Sequence, residues 1–167
     1  MSALATKPST DDVWGWLEEV PDPEIPAVSV VDLGIVRDVD WKGETLVVTV
    51  TPTYSGCPAT SFISRAIEMA IRARGIDDLK METRISPAWT TDWISDAGRE
   101  KLREFGIAPP VGGAASCAGA LKVPPVVTCP RCGSTHTERV SQFGSTPCKA
   151  SYRCLDCLEP FDYFKSF

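Results

Sequence analysis

The chain has 167 residues, a length that suits one domain and a small additional module. Its net charge of −5 argues against nonspecific nucleic-acid binding, which requires clustered cations. No apolar run reaches the length of a transmembrane helix, and residues 1–10 lack the basic and apolar regions of a signal peptide. We therefore expect a cytoplasmic protein that binds neither nucleic acid nor membrane and that meets other proteins.

The first two thirds of the chain show the pattern of an α+β domain. A helix is expected to begin with Thr10 as its N-cap and to end before Pro21. Alternating apolar and polar residues predict a β-hairpin over 35–51, with its turn at 42–44. A helix over 59–74, a strand over 80–85 and a helix over 91–105 complete an α-β-β-α-β-α order around a small mixed sheet.

Cys57 stands between the second strand and the second helix of this pattern. Gly56 permits a sharp turn before it, and Pro58 suits the first turn of a helix. Free N–H groups at a helix N-terminus stabilise a thiolate, so Cys57 is our candidate for a functional, metal-binding thiol. The alternative is that Cys57 serves as a small buried apolar side chain.

An acidic loop precedes the hairpin. In Asp22-Pro23-Glu24-Ile25-Pro26 the two prolines exclude a helix and stiffen the backbone. Because a stiff loop holds carboxylates in place, we predict that Asp22, Glu24 and the nearby Asp32 share a surface region with Cys57. Their alternative role is to cap N–H groups in turns, as Asp commonly does.

Residues 108–125 are rich in proline and small residues, a composition that predicts a linker. The chain is therefore divided into a first domain over 10–107, this linker, and a C-terminal module over 126–167. The linker contains Cys117, which we interpret as an incidental exposed thiol, with a second functional sulfur as the alternative.

The C-terminal module contains two C-x-x-C pairs, formed by Cys129, Cys132, Cys154 and Cys157. Their spacing and the four-thiolate ligand set predict a structural zinc site in a zinc ribbon. A rubredoxin-like iron site uses the same ligands and is the alternative. A module of this size has too small an apolar core to fold alone, so the metal is expected to stabilise it.

Cys148 lies outside both pairs. The neighbouring Lys149 is expected to favour a thiolate there. Cys148 is either a spare buried thiol of the ribbon or a second functional sulfur. The sequence has seven cysteines and no export signal, a combination that favours metal or redox chemistry over disulfide bonds.

Motifs of the first domain resemble those of a known family. The acidic loop, Asp32-Leu33-Gly34, and the residues Thr51, Tyr54, Gly56, Cys57 and Pro58 are similar to the signature of the iron–sulfur-cluster assembly family that includes SufT-like proteins. The resemblance implies that the cysteine after the second strand takes part in cluster transfer and that the acidic loop lies beside it.

The C-terminal motifs extend the resemblance over nearly the whole chain. Cys129-Pro130-Arg131-Cys132-Gly133-Ser134, Phe143-Gly144-Ser145-Thr146 and Cys148-Lys149-Ala150 resemble the D-subunit family of the bacterial phenylacetyl-CoA epoxidase system. This implies a role in aerobic phenylacetate degradation, with other epoxidase subunits as partners. It also implies structural zinc and a transient iron–sulfur cluster. The chemistry of that system belongs to a di-iron subunit and a flavin/iron–sulfur reductase, so we expect a non-catalytic subunit that serves one of them.

Two functions from different classes stay open at this point. The first is a carrier of iron or of a cluster, which uses Cys57. Since a cluster takes about four ligands, the carrier also needs Cys148, Cys117, a partner's cysteines or a second copy in a homodimer. The second is a structural adaptor, in which zinc and sheet present a docking surface and no cysteine outside the zinc site matters.

Overall fold

The computed structural model describes residues 7–54, 56–112 and 125–166. Cys117 lies outside the described residues. The helices are α1 (Thr10–Glu18), α2 (Ala59–Arg72) and α3 (Asp96–Glu104). The strands are β1 (Val36–Lys42), β2 (Thr45–Val50), β3 (Leu79–Thr83), β4 (Ile107–Ala108), β5 (Thr137–Ser141), β6 (Lys149–Cys154) and β7 (Pro160–Phe164). None of the helices in this part of the chain has the length and apolar character that crossing a bilayer demands.

The N-cap of helix α1 lies one residue before the predicted one. Ser9 is the N-cap, and its hydroxyl accepts the Asp12 N–H at 3.1 Å. The Asp12 carboxylate in turn accepts the Ser9 N–H at 2.9 Å, which completes a capping box. The prediction of Thr10 as N-cap was wrong, because only Ser9 stands three residues before an acidic side chain that can return the bond.

The first sheet has the order β1-β2-β3. β1 and β2 form the predicted antiparallel hairpin, and β3 pairs in parallel with β2 after the crossover through α2. β2 is the central strand, and residues 46–50 are all buried. α1 and α2 contact each other and the sheet, so the core lies between the helices and this strand. The structure confirms the predicted α+β class.

The third predicted helix is broken in two. A 3₁₀ turn spans Thr91–Trp93, and α3 begins only at Asp96. The cause is Ser95, whose hydroxyl accepts the Gly98 N–H at 2.9 Å and so starts a new helix. The prediction of one continuous helix over 91–105 was wrong at this point.

The second sheet has the order β4-β7-β6-β5. β5, β6 and β7 form an antiparallel ribbon, and β4 joins it by pairing in parallel with β7. β4 consists of Ile107 and Ala108, which the sequence assigned to the end of the first domain and to the linker. The ribbon sheet therefore includes the last residue before the predicted linker and the first residue of that linker. The domain bounds read from the sequence stay a prediction.

The ribbon also contributes side chains to the core of the first domain. Phe164 and Cys148 are buried in that core, at 1% and 4% exposure. The Phe164 ring centroid lies 6.1 Å from that of Trp89, which comes from the segment after β3. The ribbon keeps a second hydrophobic cluster of its own, but Phe164 and Cys148 pack into the core of the first domain, which places a ribbon cysteine near that domain.

Candidate functional site

The four ribbon cysteines form the first site. Their sulfur atoms all lie within 4.8 Å of one another, with 3.8 Å between Cys129 and Cys157 and 3.5 Å between Cys132 and Cys154. A tetrahedral zinc ion with bonds of about 2.3 Å requires sulfur–sulfur separations of about 3.8 Å. The donor set and its spacing therefore fit such an ion, and four thiolates leave no open position for a substrate.

Two tight turns direct these sulfurs inward. In the first, the Gly133 N–H donates to the Cys129 carbonyl at 3.0 Å, and Gly133 adopts a positive φ of 76°. In the second, the Cys157 N–H points to the Cys154 sulfur at 3.5 Å. Cys129 and Cys154 are buried, whereas Cys132 and Cys157 lie on the exposed side. The site therefore sits at the surface end of the ribbon.

The connection from β2 to α2 builds the second site. The Thr51 N–H donates to the Ile35 carbonyl at 2.8 Å, and Gly56 turns the chain with a φ of 86°. Pro58 occupies the N-cap position of α2, so Cys57 immediately precedes the helix cap. The Cys57 carbonyl accepts the Thr60 N–H at 3.2 Å, which ties the cysteine to the first turn. Cys57 is half-buried in this position.

Cys57 lines a small cavity between the first domain and the ribbon. The cavity has a volume of about 20 Å³, room for roughly one water molecule. Its polar lining includes Asp22, Glu24 and Cys148 as well as Cys57. The remaining lining residues are Ile25, Leu33, Ile35, Pro52, Thr53, Ala59, Thr60, Ile63 and Phe164. Two thiols and two carboxylates therefore line one cavity.

The acidic loop forms one wall of this cavity. Asp22 is 6% exposed, and its Oδ1 accepts the N–H groups of Glu24 and Ile25, each at 2.9 Å. Burial raises the pKa of Asp22 despite these bonds. Burial, followed by the charge of Asp22, also raises the pKa of Glu24. Asp22 thus shapes the loop, while Glu24 is held close to a second acidic group.

Cys148 reaches the cavity from the start of strand β6. Its sulfur lies 3.0 Å from the Thr146 hydroxyl. Burial, which outweighs the Thr146 hydrogen bond, raises the pKa of the Cys148 thiol, and the charge of Glu24 acts in the same direction. The charge of Lys149 does favour a thiolate at Cys148, as expected, but burial outweighs it and the pKa is raised overall.

The positive charge of Lys149 also acts on the carboxylates near it. The side chain is buried, and its Nζ lies 3.4 Å from Oδ2 of Asp162. Its charge also favours the ionised forms of Asp22 and Glu24. The sequence identified Lys149 only as a neighbour of Cys148; its contact with the acidic loop depends on how the ribbon packs.

Tyr54 is a site residue to which the sequence assigned no role. Burial raises its pKa to about 12, together with the charge of Cys57 and a hydrogen bond between the two side chains. The charges of Glu24 and Cys148 add to the effect. The signal in the sequence was its position three residues before Cys57, within the same connection.

Asp32 is not among the residues that line the cavity. Its Oδ2 accepts the Ser29 N–H at 3.0 Å and lies 2.6 Å from the Lys101 Nζ. The Ser95 hydroxyl donates to its other oxygen at 3.3 Å. The structure therefore brings Asp22 and Glu24 to Cys57 and gives Asp32 a capping and ion-pairing position.

Comparison with known proteins matches both parts of the chain. Residues 10–79 match the family model described as an iron–sulfur cluster assembly protein, and residues 114–165 match the PaaD zinc beta ribbon domain. A DUF59 domain of unknown function from Bacillus anthracis has a similar structure, with a TM-score of 0.51 and 26% identity, covering 56% of this chain and 90% of that one. A conserved hypothetical protein from Thermotoga maritima has a TM-score of 0.50 and 32% identity, covering 61% and 98%.

Two curated proteins are similar in sequence. The protein assigned as the D component of 1,2-phenylacetyl-CoA epoxidase in Escherichia coli (strain K12) is 51% identical over 167 residues, which is 99% of each chain. An Fe–S protein maturation auxiliary factor from Porphyromonas gingivalis is 36% identical over 98 residues, covering 58% of this chain and 90% of that protein.

The fold and the two cysteine sites define an iron–sulfur-cluster-assembly-like domain that carries a zinc ribbon. With half of its residues identical over the full length of the Escherichia coli protein, the chain belongs to the PaaD family, the D components of phenylacetyl-CoA epoxidase.

Proposed function

We propose that this protein is an accessory subunit of the phenylacetyl-CoA epoxidase of aerobic phenylacetate degradation. It assists the insertion of iron or of an iron–sulfur cluster into the reductase or the di-iron subunit, acting through Cys57 in the cytoplasm. The family supplies the system, and the name of the Porphyromonas gingivalis relative, an Fe–S protein maturation auxiliary factor, supports the kind of role.

The environment of the Cys57 thiol is the observation that carries this proposal. The thiol is half-buried, so a partner's residues can reach it, and it faces Asp22, Glu24 and Cys148 across a small cavity. Thiols and carboxylates are both iron ligands in proteins. A cysteine with a purely structural role requires no acidic groups beside it. Burial raises the pKa values of Asp22, Glu24 and Cys148, and a neighbouring acidic charge adds to the effect at Glu24 and Cys148.

The number of ligands that a cluster requires implies that a second protein shares in binding it. Cys57 and Cys148 supply two thiols, whereas an iron–sulfur cluster takes about four. A cluster at Cys57 therefore needs further ligands from a second copy of the chain or from the client protein. Such shared ligation makes binding transient, which suits a maturation factor.

For the ribbon, we propose one zinc ion bound by Cys129, Cys132, Cys154 and Cys157, with a structural role. The four-thiolate geometry fits a tetrahedral metal, and the match to a zinc ribbon family supports zinc over iron. Metal analysis of protein purified without added metal should give about one zinc per chain and little iron. Stoichiometric iron with the absorption of a rubredoxin-type centre would contradict this assignment.

A structural adaptor is the second candidate function. Helix α2 exposes the apolar side chains of Phe62 and Met69, at 67% and 63%, on the helix that follows Cys57. Since residues seven apart lie on the same side of a helix, these two side chains form a candidate contact surface for a partner. In this alternative the chain docks epoxidase components and no metal passes through Cys57.

A complementation experiment separates the two functions. A strain that lacks this gene is supplied with the wild type, Cys57→Ser, or Ser61→Ala on the exposed side of the same helix, and growth on phenylacetate is measured. We expect Cys57→Ser to fail while the purified variant keeps its fold and zinc, and Ser61→Ala to grow normally. Normal growth with Cys57→Ser would reject the carrier and leave the adaptor.

A further inference from the structure

We propose that the cavity between the two domains binds a single thiophilic divalent cation, with Fe²⁺ as the intended cargo, through Cys57, Cys148 and Glu24. This inference rests on the proposed function, since it names the species that is carried. The site is separate from the four-cysteine site and is shared between the first domain and the ribbon.

Three separate segments bring its donors together. Glu24 comes from the acidic loop, Cys57 from the connection into α2, and Cys148 from the start of β6 in the ribbon. Two sulfur donors and a carboxylate form a ligand set that favours iron or zinc over magnesium or calcium, which prefer oxygen alone. The chemistry of the donors therefore selects a transition-metal ion.

Glu24 is the carboxylate available for a metal. The Oδ1 of Asp22 is already used by two backbone N–H groups at 2.9 Å, and these bonds hold the loop in shape. Within the described part of the chain, no hydrogen bond or ion pair engages the Glu24 carboxylate, although the charges of Asp22 and Lys149 act on it. Asp22 is accordingly a positioning residue, and Glu24 is the ligand.

The size of the cavity decides between an ion and a cluster. A volume of about 20 Å³ admits one water-sized particle and excludes a cluster of several iron and sulfur atoms. Among the described residues, the four ribbon cysteines are the only group that brings at least three ligand atoms within 4.8 Å of one another. The donor atoms of Cys57, Cys148 and Glu24 are thus not all within that distance of one another, and binding requires these side chains to approach each other.

The balance of charge favours a cation in this place. Asp22, Glu24 and Cys148 line the same cavity, and Asp22 and Cys148 are buried, at 6% and 4% exposure. In the described residues Lys149 is the one buried cationic side chain, and its Nζ already lies 3.4 Å from Asp162. A divalent ion supplies the missing positive charge and releases protons as it binds.

Strand β6 links this site to the zinc ribbon. Cys148 immediately precedes the strand, and Cys154 at its other end is a ligand of the four-cysteine site. The metal of the ribbon thus fixes the strand that presents Cys148 to the cavity. This gives the ribbon a part in cargo binding beyond its own stability.

The test uses the full-length chain with zinc in the ribbon and Co²⁺ as a probe that reports thiolate ligation by its charge-transfer absorption. Anaerobic titration should show one Co²⁺ bound per chain without release of zinc, which is measured in the same samples. Glu24→Gln should weaken Co²⁺ binding about tenfold or more, and Cys57→Ser and Cys148→Ala should each lower the charge-transfer absorption by about half or more, because each removes one of two thiolates. The matched control is Glu44→Gln in the exposed β1–β2 turn, which should bind as the wild type does.

The outcomes also distinguish failure of this metal site from failure of the proposed maturation function. Binding of Co²⁺ only with loss of zinc, or an unchanged band in a folded, zinc-bound Cys148→Ala variant, would overturn the shared site. If the site fails but Cys57→Ser still abolishes growth on phenylacetate, the single-ion cargo is wrong and the maturation role stands. If the site binds Co²⁺ and Cys57→Ser grows normally, the maturation role is wrong and the metal site stands.

Discussion

Cys57 and Cys148 line the same cavity, although one precedes helix α2 of the first domain and the other precedes strand β6 of the ribbon. The two thiols differ in access, because Cys57 is half-buried and Cys148 is buried. This difference suits an outer thiol that meets a partner and an inner thiol that holds cargo. It also makes the ribbon part of the site, and the predictions below follow from that arrangement.

The shared core predicts that a ribbon side chain stabilises the first domain. Phe164 is 1% exposed and packs near Trp89, so Phe164→Ala should lower the free energy of unfolding by about 3–5 kcal/mol. Chemical denaturation followed by tryptophan fluorescence measures the change. Phe143→Ala is the control, since Phe143 is 62% exposed and should cost less than about 1 kcal/mol. Equal, small losses in both variants would show that the ribbon does not support the first domain.

Loss of the ribbon metal should expose Cys148. In Cys154→Ser we expect zinc to be lost and β6 to detach, so that alkylation of Cys148 becomes about tenfold faster or more. Mass spectrometry of the peptide that contains Cys148 gives the rate. Thr135→Ala, an exposed change near the knuckles, should leave that rate unaltered. Protection of Cys148 in a zinc-free Cys154→Ser protein would contradict the link through β6.

The contribution of Asp32 to the stability of the fold should depend on pH. Burial opposes its ionisation, but the hydrogen bonds from Lys101 and Ser29 outweigh burial and lower its pKa below the ordinary value of 3.8. The ionised carboxylate therefore stabilises the fold above the unfolded pKa, and this contribution is lost as the pH falls through the folded pKa. Asp32→Asn should cost about 1–3 kcal/mol at neutral pH and progressively less below about pH 4.

Denaturation of Asp32→Asn and wild type at several pH values checks this prediction. Asp38→Asn serves as the control, because Asp38 is exposed on β1 and its replacement should change stability by no more than about 0.5 kcal/mol. A difference between wild type and Asp32→Asn that stays constant down to about pH 3 would mean that the charge of Asp32 contributes nothing.

Two glycines should respond to alanine in opposite directions. Gly34 has a φ of 65°, and an added Cβ would lie 2.5 Å from the Trp93 carbonyl oxygen. Gly34→Ala should therefore lower the unfolding free energy by about 2 kcal/mol or more. Gly15→Ala in helix α1 meets no atom within 4 Å and should raise it by about 0.5–1 kcal/mol. Thermal unfolding of the two variants measures the change in stability of each. A Gly34→Ala protein as stable as the wild type would show that the contact with Trp93 can relax.

Local features of the sequence predicted most of the fold. The hairpin over 35–51 and helix α2 follow from periodicity, and the cluster of four cysteines follows from their paired spacing. The errors arose from local competition between caps. Ser9 displaced Thr10 as the N-cap of α1, and Ser95 interrupted a helix that apolar spacing alone would continue.

The composition of the cavity was less predictable. The sequence placed Asp22, Glu24 and Cys57 in one region because a stiff loop and a known type of motif connect them. It left Cys148 open, because the packing of the ribbon on the first domain decides where this thiol lies. Asp32 shows the reverse case: its carboxylate forms bonds with Ser29 and Lys101, and no local signal distinguishes a capping aspartate from a site aspartate.

The most direct test of the account measures iron in the client proteins. The reductase and di-iron subunits are purified from cells that contain either wild-type protein or Cys57→Ser, and their iron and sulfide contents are compared. The account predicts that at least one client from Cys57→Ser cells lacks most of its metal, while the variant itself retains its fold and its ribbon zinc. Full iron and sulfide in both clients, with a folded Cys57→Ser protein, would contradict it.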